Sequence, residues 1–171
     1  PFIDVNADGK YTIEDGDYPD ILGDQFIWWV FNDKGNTKQQ SQTEGIGIEV
    51  QASAFGYSTK DFLNDATFYK FKLINRSNLT LDSTYIATWT DADLGYYADD
   101  YIGCDTTKEL AYYYNSDNID NDYGTNPPSW GIALLKGAYL PAAPNVDLGM
   151  TSMGYFYGTT GCTSDNMTSD E

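Results

Sequence analysis

Thr67-Phe-Tyr69-Lys70-Phe71-Lys72-Leu73-Ile74-Asn75 decides the fold class, because Tyr69, Phe71 and Leu73 alternate with Lys70 and Lys72. A period of two puts alternate side chains on opposite faces of a strand, and the aromatic and branched residues suit a pleated surface. The same alternation recurs upstream, where Ile46, Ile48 and Val50 interleave with Gly47, Glu49 and Gln51. Both stretches predict sheets with one buried and one wet face. Further runs of this kind, separated by Asn/Asp/Gly/Ser clusters, are Phe26 to Phe31, Thr84 to Thr90, Tyr101 to Cys104, Leu110 to Tyr114, Trp130 to Leu135 and Met153 to Tyr157. No run has a helical period. About eight strands in one chain predict an all-β, antiparallel β-sandwich of jelly-roll kind with long acidic loops, and a barrel is the alternative. The division that follows is a calcium loop at 1–24, a sandwich body at 25–158 and a polar, flexible tail at 159–171.

The loop stands at the start of the chain. Residues 4 to 15 read Asp4-Val-Asn6-Ala-Asp8-Gly9-Lys10-Tyr-Thr12-Ile-Glu-Asp15, with oxygen-bearing side chains at the spacing of a calcium loop and glycine at its sharp turn. Ca²⁺ takes about six to eight oxygen ligands. Asp4, Asn6 and Asp8 supply side-chain oxygens, Lys10 its carbonyl, Thr12 a hydroxyl or water contact and Asp15 the closing carboxylate. An ordinary Asp/Asn/Gly turn is the plainer alternative. EF-hands close with a bidentate Glu and are flanked by helices, whereas Pro19 and Gly23 follow here and break any helix. A structural loop is expected rather than a helix-opening sensor.

Two more acidic clusters follow predicted strands. The first is Asp91-Ala-Asp93-Leu-Gly95 with Asp99-Asp100-Tyr-Ile-Gly103-Cys-Asp105, and the second is Asn115-Ser-Asp117-Asn118-Ile-Asp120-Asn121-Asp122-Tyr-Gly124. Alternate carboxylates beside a glycine can converge on one cation, and without one they repel. The candidate ligands are therefore Asp91, Asp93, Asp99, Asp100 and Asp105 in the first, and Asp117, Asp120 and Asp122 in the second. Solvated turns are the competing account.

With 26 acidic against 9 basic residues the net charge is -17, which disfavours nucleic acid and anionic membrane surfaces as partners and favours cations. Hydrophobic content of 41% and aromatic content of 16% exceed those of a disordered acidic chain. No apolar stretch is long enough to span a membrane as a helix. The absence of histidine removes Ser-His and Cys-His nucleophile systems and most zinc or iron sites, so any metal should be a hard one such as Ca²⁺. Cys104 and Cys162 are compatible with one disulfide or with two buried thiols. The chain opens at Pro1 without a signal peptide or initiator Met, as a processed or excised piece of a longer protein would.

The stretches Asp15-Gly-Asp-Tyr-Pro-Asp-Ile-Leu-Gly-Asp-Gln25, Trp28-Trp-Val-Phe-Asn-Asp33, Phe68-Tyr-Lys-Phe-Lys-Leu-Ile-Asn-Arg-Ser77, Trp89-Thr-Asp-Ala-Asp-Leu-Gly95, Asp99-Asp-Tyr-Ile-Gly-Cys-Asp105 and Tyr123-Gly-Thr-Asn-Pro-Pro128 resemble a region of large secreted surface proteins of Bacteroidetes exported by the type IX system. The resemblance, over most of residues 1 to 155, implies an extracellular or cell-surface location and no established catalysis. It also implies that Asp82-Ser83-Thr84 and Asp105-Thr106-Thr107 are candidate O-glycosylation sites. Three functional classes follow. The first is a calcium-stabilised structural or adhesive module of a larger secreted protein, its partners being neighbouring domains or other surface proteins. The second is a carbohydrate-binding module using Trp28, Trp29, Trp89, Trp130 and Tyr112 to Tyr114, although Trp within a strand is more often core. The third and least favoured is a carboxylate-pair glycoside hydrolase drawing on Asp91, Asp93, Asp99 and Asp100.

Overall fold

A computed structural model describes residues 1–35, 37–39, 41–140, 143–155 and 165–166. The chain is all-β, its strands interrupted by single 3₁₀ turns at Ile13–Asp15 and Phe62–Asp65. The strands are β1 (Phe2–Ile3), β2 (Tyr18–Pro19), β3 (Gln25–Asn32), β4 (Ile48–Gly56), β5 (Thr67–Asn75), β6 (Asp100–Asp105), β7 (Leu110–Asn115), β8 (Ile119–Asp120), β9 (Gly124–Thr125), β10 (Trp130–Ala133), β11 (Tyr139–Leu140), β12 (Ala143–Asp147), β13 (Gly154–Tyr155) and β14 (Asp165–Asn166). They form two compact units, Pro1–Tyr85 and Ile86–Glu171.

Unit 1 is built on the antiparallel sheet β3-β4-β5, with the small β1-β2 ladder beside its calcium-like loop. The register places Trp29 opposite Ala52 and Ala52 opposite Phe71, so one face carries Ile27, Trp29 and Phe31, then Ala54, Ala52 and Val50, then Tyr69, Phe71 and Leu73. The other face carries Trp28, Ser53 and Lys70 along one rung and Val30, Gln51 and Lys72 along the next. The alternation therefore sorts the side chains onto faces as the sequence dictates. The expectation that the apolar face is buried is corrected: Trp29 is 36% exposed and Tyr69 60%, and in this unit Ala52 is the one apolar side chain buried among the described residues.

Unit 2 contains the sheet β10-β7-β6 and the short ladders β8-β9, β11-β12 and β13-β14. Tyr112 lies opposite Gly103, and its ring fills the space in which a side chain at Gly103 would stand. The missing Cβ thus makes room for an aromatic ring across the ladder. Leu94 and Cys104 are buried here.

Seven of the eight expected strand runs contain strands. Residues 84–90 form none, and Tyr85, Ile86 and Trp89 stand largely exposed. β-branched and aromatic composition stabilises a strand through cross-strand neighbours, and this run has no ladder partner to supply them. All four tryptophans are at least 36% exposed, which overturns their reading as core residues. The three-stranded sheets lie in different units and neither closes among the described residues, so the architecture is that of several small antiparallel sheets. Of the 159–171 segment only Asp165 and Asn166 are described, paired with Tyr155 and Gly154. The rest of that segment, and with it the question of a Cys104–Cys162 bridge, lies outside the described residues.

Candidate metal centres

The loop at 4–15 folds back on itself through its own carboxylates. Asp4 accepts from the amides of Asp8 through Oδ1 (3.2 Å) and Gly9 through Oδ2 (2.7 Å), Asn6 Oδ1 accepts from Asp8 N (3.1 Å), and Asp8 Oδ1 accepts from Lys10 N (2.8 Å). Asn6 Nδ2 donates to Asp15 Oδ2 across the loop (3.1 Å). Gly9 has φ +78°, the left-handed conformation that the sharp turn requires and that glycine adopts without a Cβ penalty. Asp4, Asn6, Asp8 and Asp15 are thus drawn together in one hydrogen-bonded network. Thr12 stands at the N-cap position of the 3₁₀ turn that presents Asp15, without a side-chain bond to that turn, and its carbonyl accepts from Asp15 N. The four networked side chains carry oxygen atoms, the donor type that hard cations take.

Sequence reasoning missed Asp17. Its side chain is 5% exposed, with Oδ1 accepting from Val5 N (2.9 Å) and Oδ2 from Thr12 N (2.8 Å). One carboxylate therefore clamps the entrance and the exit of the loop. The only signal was its place two residues after Asp15, outside the ligand spacing.

Asp33 acts in the same way further along. Its two oxygens accept from the amides of Ile46, Gly47 and Ile48. Burial pushes its carboxyl up, but those amides together outweigh burial and hold it below the ordinary carboxylate range. Asp33 lines a shallow depression of about 210 Å³ with Lys34, Gly47, Glu49 and Arg76. Glu49 is held low by Arg76, which donates Nε and Nη2 to it (3.2 and 3.1 Å), and then by Gln51. A general acid needs the opposite shift.

In unit 2 the two acidic clusters of the sequence do not remain separate. Asp100 opens β6 and faces Asn115, the last residue of β7, while Asp105 ends β6 at the far end of the hairpin. Asp105 accepts from the Thr107 hydroxyl (2.7 Å), from Lys108 N and from Lys108 Nζ (3.0 Å), and the Thr107 hydroxyl and then Lys108 lower its pKa to about 2. It is a turn anchor, parted from Asp99 and Asp100 by the length of the strand. Asp91 and Asp93 are exposed, and the charge of Asp91, after burial, raises the Tyr113 hydroxyl.

Around the other end, Asp99 and Asp100 meet residues of the second cluster. Asp99 O accepts from Ser116 N (2.8 Å), and Asp100 Oδ2 from Leu94 N (2.9 Å). Asp120, 2% exposed, is fully engaged as a loop anchor: Oδ2 accepts from Tyr96 N, and Oδ1 from Asp122 N and Tyr123 N. The Tyr123 and Tyr96 amides hold its carboxyl below the ordinary range. Asp117 Oδ1 accepts from Ile119 N, and Asp117 and Asp122 are exposed. Burial raises the Asp99 carboxyl, with the charges of Asp120, Asp100 and Asp117 adding to it. Asp99 Oδ1, Asp100 Oδ1 and Asn115 Oδ1 are buried oxygens without a hydrogen-bond partner. Asn115 opens the second acidic stretch, but its side chain has no charge, so the carboxylate spacing does not mark it as a ligand.

Among the described residues, no three Asp, Glu, Cys or His side chains converge closely enough to enclose an ion by themselves. Asparagine and main-chain oxygens are needed to complete either donor set. No described helix is long and apolar enough to cross a membrane. Comparison with family models, curated proteins and solved structures finds no match to the chain.

Proposed function

We propose that the chain is a calcium-stabilised structural or adhesive module of a larger secreted or cell-surface protein, with the loop at 4–15 as its calcium site. The observation that carries this is the network joining Asp4, Asn6, Asp8 and Asp15 around Gly9. Ca²⁺ bound there would draw on those side chains and the Lys10 carbonyl, neutralise three neighbouring carboxylates and hold the loop against the body of unit 1. In calcium-rich surroundings a loop of modest affinity is saturated, and a hundredfold excess over its dissociation constant adds about 2.7 kcal/mol. The test is a thermal melt of wild type and Asp8→Ala in calcium and in EGTA. Calcium should raise the wild-type Tm, and Asp8→Ala should lower the Tm more in calcium than in EGTA. A wild-type Tm indifferent to calcium removes the proposal.

A glycan-binding role is favoured by one specific feature. Tyr69 and Phe71 on β5 present rings parallel to within 5°, centroids 6.3 Å apart, on the open apolar face of unit 1. Parallel exposed rings on the face that also carries Trp29, two strands away, suit stacking against the apolar faces of sugar rings. The sandwich expected from the sequence would cover that same face with a second sheet, so the two uses exclude each other. Affinity electrophoresis on a polysaccharide panel with Phe71→Ala as control tests it, and absence of retardation for wild type refutes it.

A further inference from the structure

We propose that the end of the β6-β7 hairpin where Asp100 faces Asn115 is a second divalent-cation site, with Asp99 Oδ1, Asp100 Oδ1 and Asn115 Oδ1 as protein ligands and water completing the shell. The site lies wholly within unit 2 and uses nothing from the loop at 4–15.

Three observations converge on it. Asn115 is 8% exposed, and its amide nitrogen donates to the carbonyls of Asp117 (3.2 Å) and Ile119 (3.1 Å). Those two bonds fix the amide plane and turn Oδ1 away from the 117–119 loop, where no donor meets it. Across the ladder, Asp100 is the direct partner of Asn115, so their Cβ atoms stand about 5 Å apart on one face. Asp100 is held by Leu94 N through Oδ2 alone, leaving Oδ1 buried and without a donor. Asp99, the residue before Asp100, is tied one rung further on, its carbonyl accepting from Ser116 N, and its side chain contributes the third such oxygen.

A buried acceptor without a donor is costly, more so when charged, so three on two successive residues and the cross-strand partner of one of them call for a compensating positive charge. Among the described residues no Lys or Arg is bonded to any of them. Asp120 and Asp117 act on Asp99 as further negative charges, deepening the potential rather than relieving it. An all-oxygen set of two carboxylates and one amide suits Ca²⁺, whose flexible shell accepts water, better than Zn²⁺ or Cu²⁺. Asp120 cannot serve as a direct ligand without giving up backbone donors, and its role is to fix the surrounding loops.

Calcium titration calorimetry on the full chain, after chelator treatment, tests this in three forms: wild type, Asp4→Ala/Asp8→Ala and Asp99→Asn. Asp99→Asn keeps the shape of the side chain and removes the charge, and a melt in EGTA checks that it folds. Two ions in wild type, one in Asp4→Ala/Asp8→Ala and at least tenfold weaker binding of one ion in Asp99→Asn bear the proposal out. One ion in wild type and none in Asp4→Ala/Asp8→Ala overturns it while leaving the N-terminal calcium loop intact. One ion in both, weakened in Asp99→Asn, supports it and removes the N-terminal site instead. Binding unaffected by Asp99→Asn also overturns it, because the three oxygens are then satisfied by water alone.

Discussion

Replacing Asp17 with Ala removes a buried carboxylate that accepts from two backbone amides at opposite ends of the N-terminal loop. Hydrogen bonds to a charged group contribute about 1.5–3 kcal/mol each, which would give about 3–6 kcal/mol for the pair. Val5 is exposed, so water re-solvates its amide once the loop loosens, and the lower end, about 3 kcal/mol, is the figure to test. If unit 1 melts cooperatively, that loss lowers its Tm by about 12–24 °C, at about 4–8 °C per kcal/mol for a unit of this size. If only the loop opens, the loss appears as exchange of the Val5 and Thr12 amides roughly a hundredfold faster, since 1.4 kcal/mol is about a factor of ten. Hydrogen exchange followed by NMR, run beside the melt, distinguishes the two. Asp17→Asn retains one acceptor and should lose about half as much. A Tm within about 2 °C of wild type, with both amides still protected, would show that the clamp contributes little and would refute the reasoning.

Gly95 has φ +80°, and a Cβ there would run into the Asp120 carboxylate and the Tyr123 ring, so Gly95→Ala should destabilise unit 2 and weaken calcium binding at Asp99 and Asp100; an unchanged melt counts against the close packing. Phe71→Ala should cost about 1–2 kcal/mol by denaturant titration, not the roughly 3–5 of a buried Phe, because that face is open. Asp33 and Glu49 have folded pKa values below their unfolded ones, so the stability they give is present above about pH 4 and is lost as pH falls through their folded values. Asp105 continues that loss down to about 2. Asp99 has the opposite sign: in chelator its contribution improves on acidification towards pH 4, an effect that Asp99→Asn should abolish in a pH series of melts.

The strand alternation was legible because a period of two is fixed by backbone geometry, and β5 runs over the very residues 67–75 that the pattern marks. What the pattern does not contain is what each face meets. Tyr69, Phe71 and Leu73 share a face as read, yet stand exposed, and residues 84–90 have strand composition but form no strand. The 4–15 loop was readable because all its candidate ligands are local, so spacing alone brings them together. The grouping at Asp99 was not, since it depends on the β6-β7 register, which pairs Asp100 with Asn115 and sends Asp105 to the other end. Asp17, Asp33 and Asp120 look like any other acidic loop residue in a chain with 26 acids; only the direction of neighbouring amides marks them as clamps.

Among the described residues of unit 1 Ala52 is the one apolar side chain buried outright, and the others, such as Phe55 and Phe68, are only partly covered, so less hydrocarbon becomes newly hydrated when that unit unfolds than in a domain with a filled core. The heat-capacity increment of unfolding grows with the apolar surface newly hydrated, so it should fall below the roughly 12–15 cal/mol/K per residue of ordinary domains. A smaller increment broadens the temperature range over which stability is nearly constant and moves cold unfolding further below freezing. Directed bonds to carboxylates such as Asp17 and Asp33 then carry a larger share of the stability of unit 1 than they would beside a filled core, and cooling should weaken it less than it weakens a protein with a thick core.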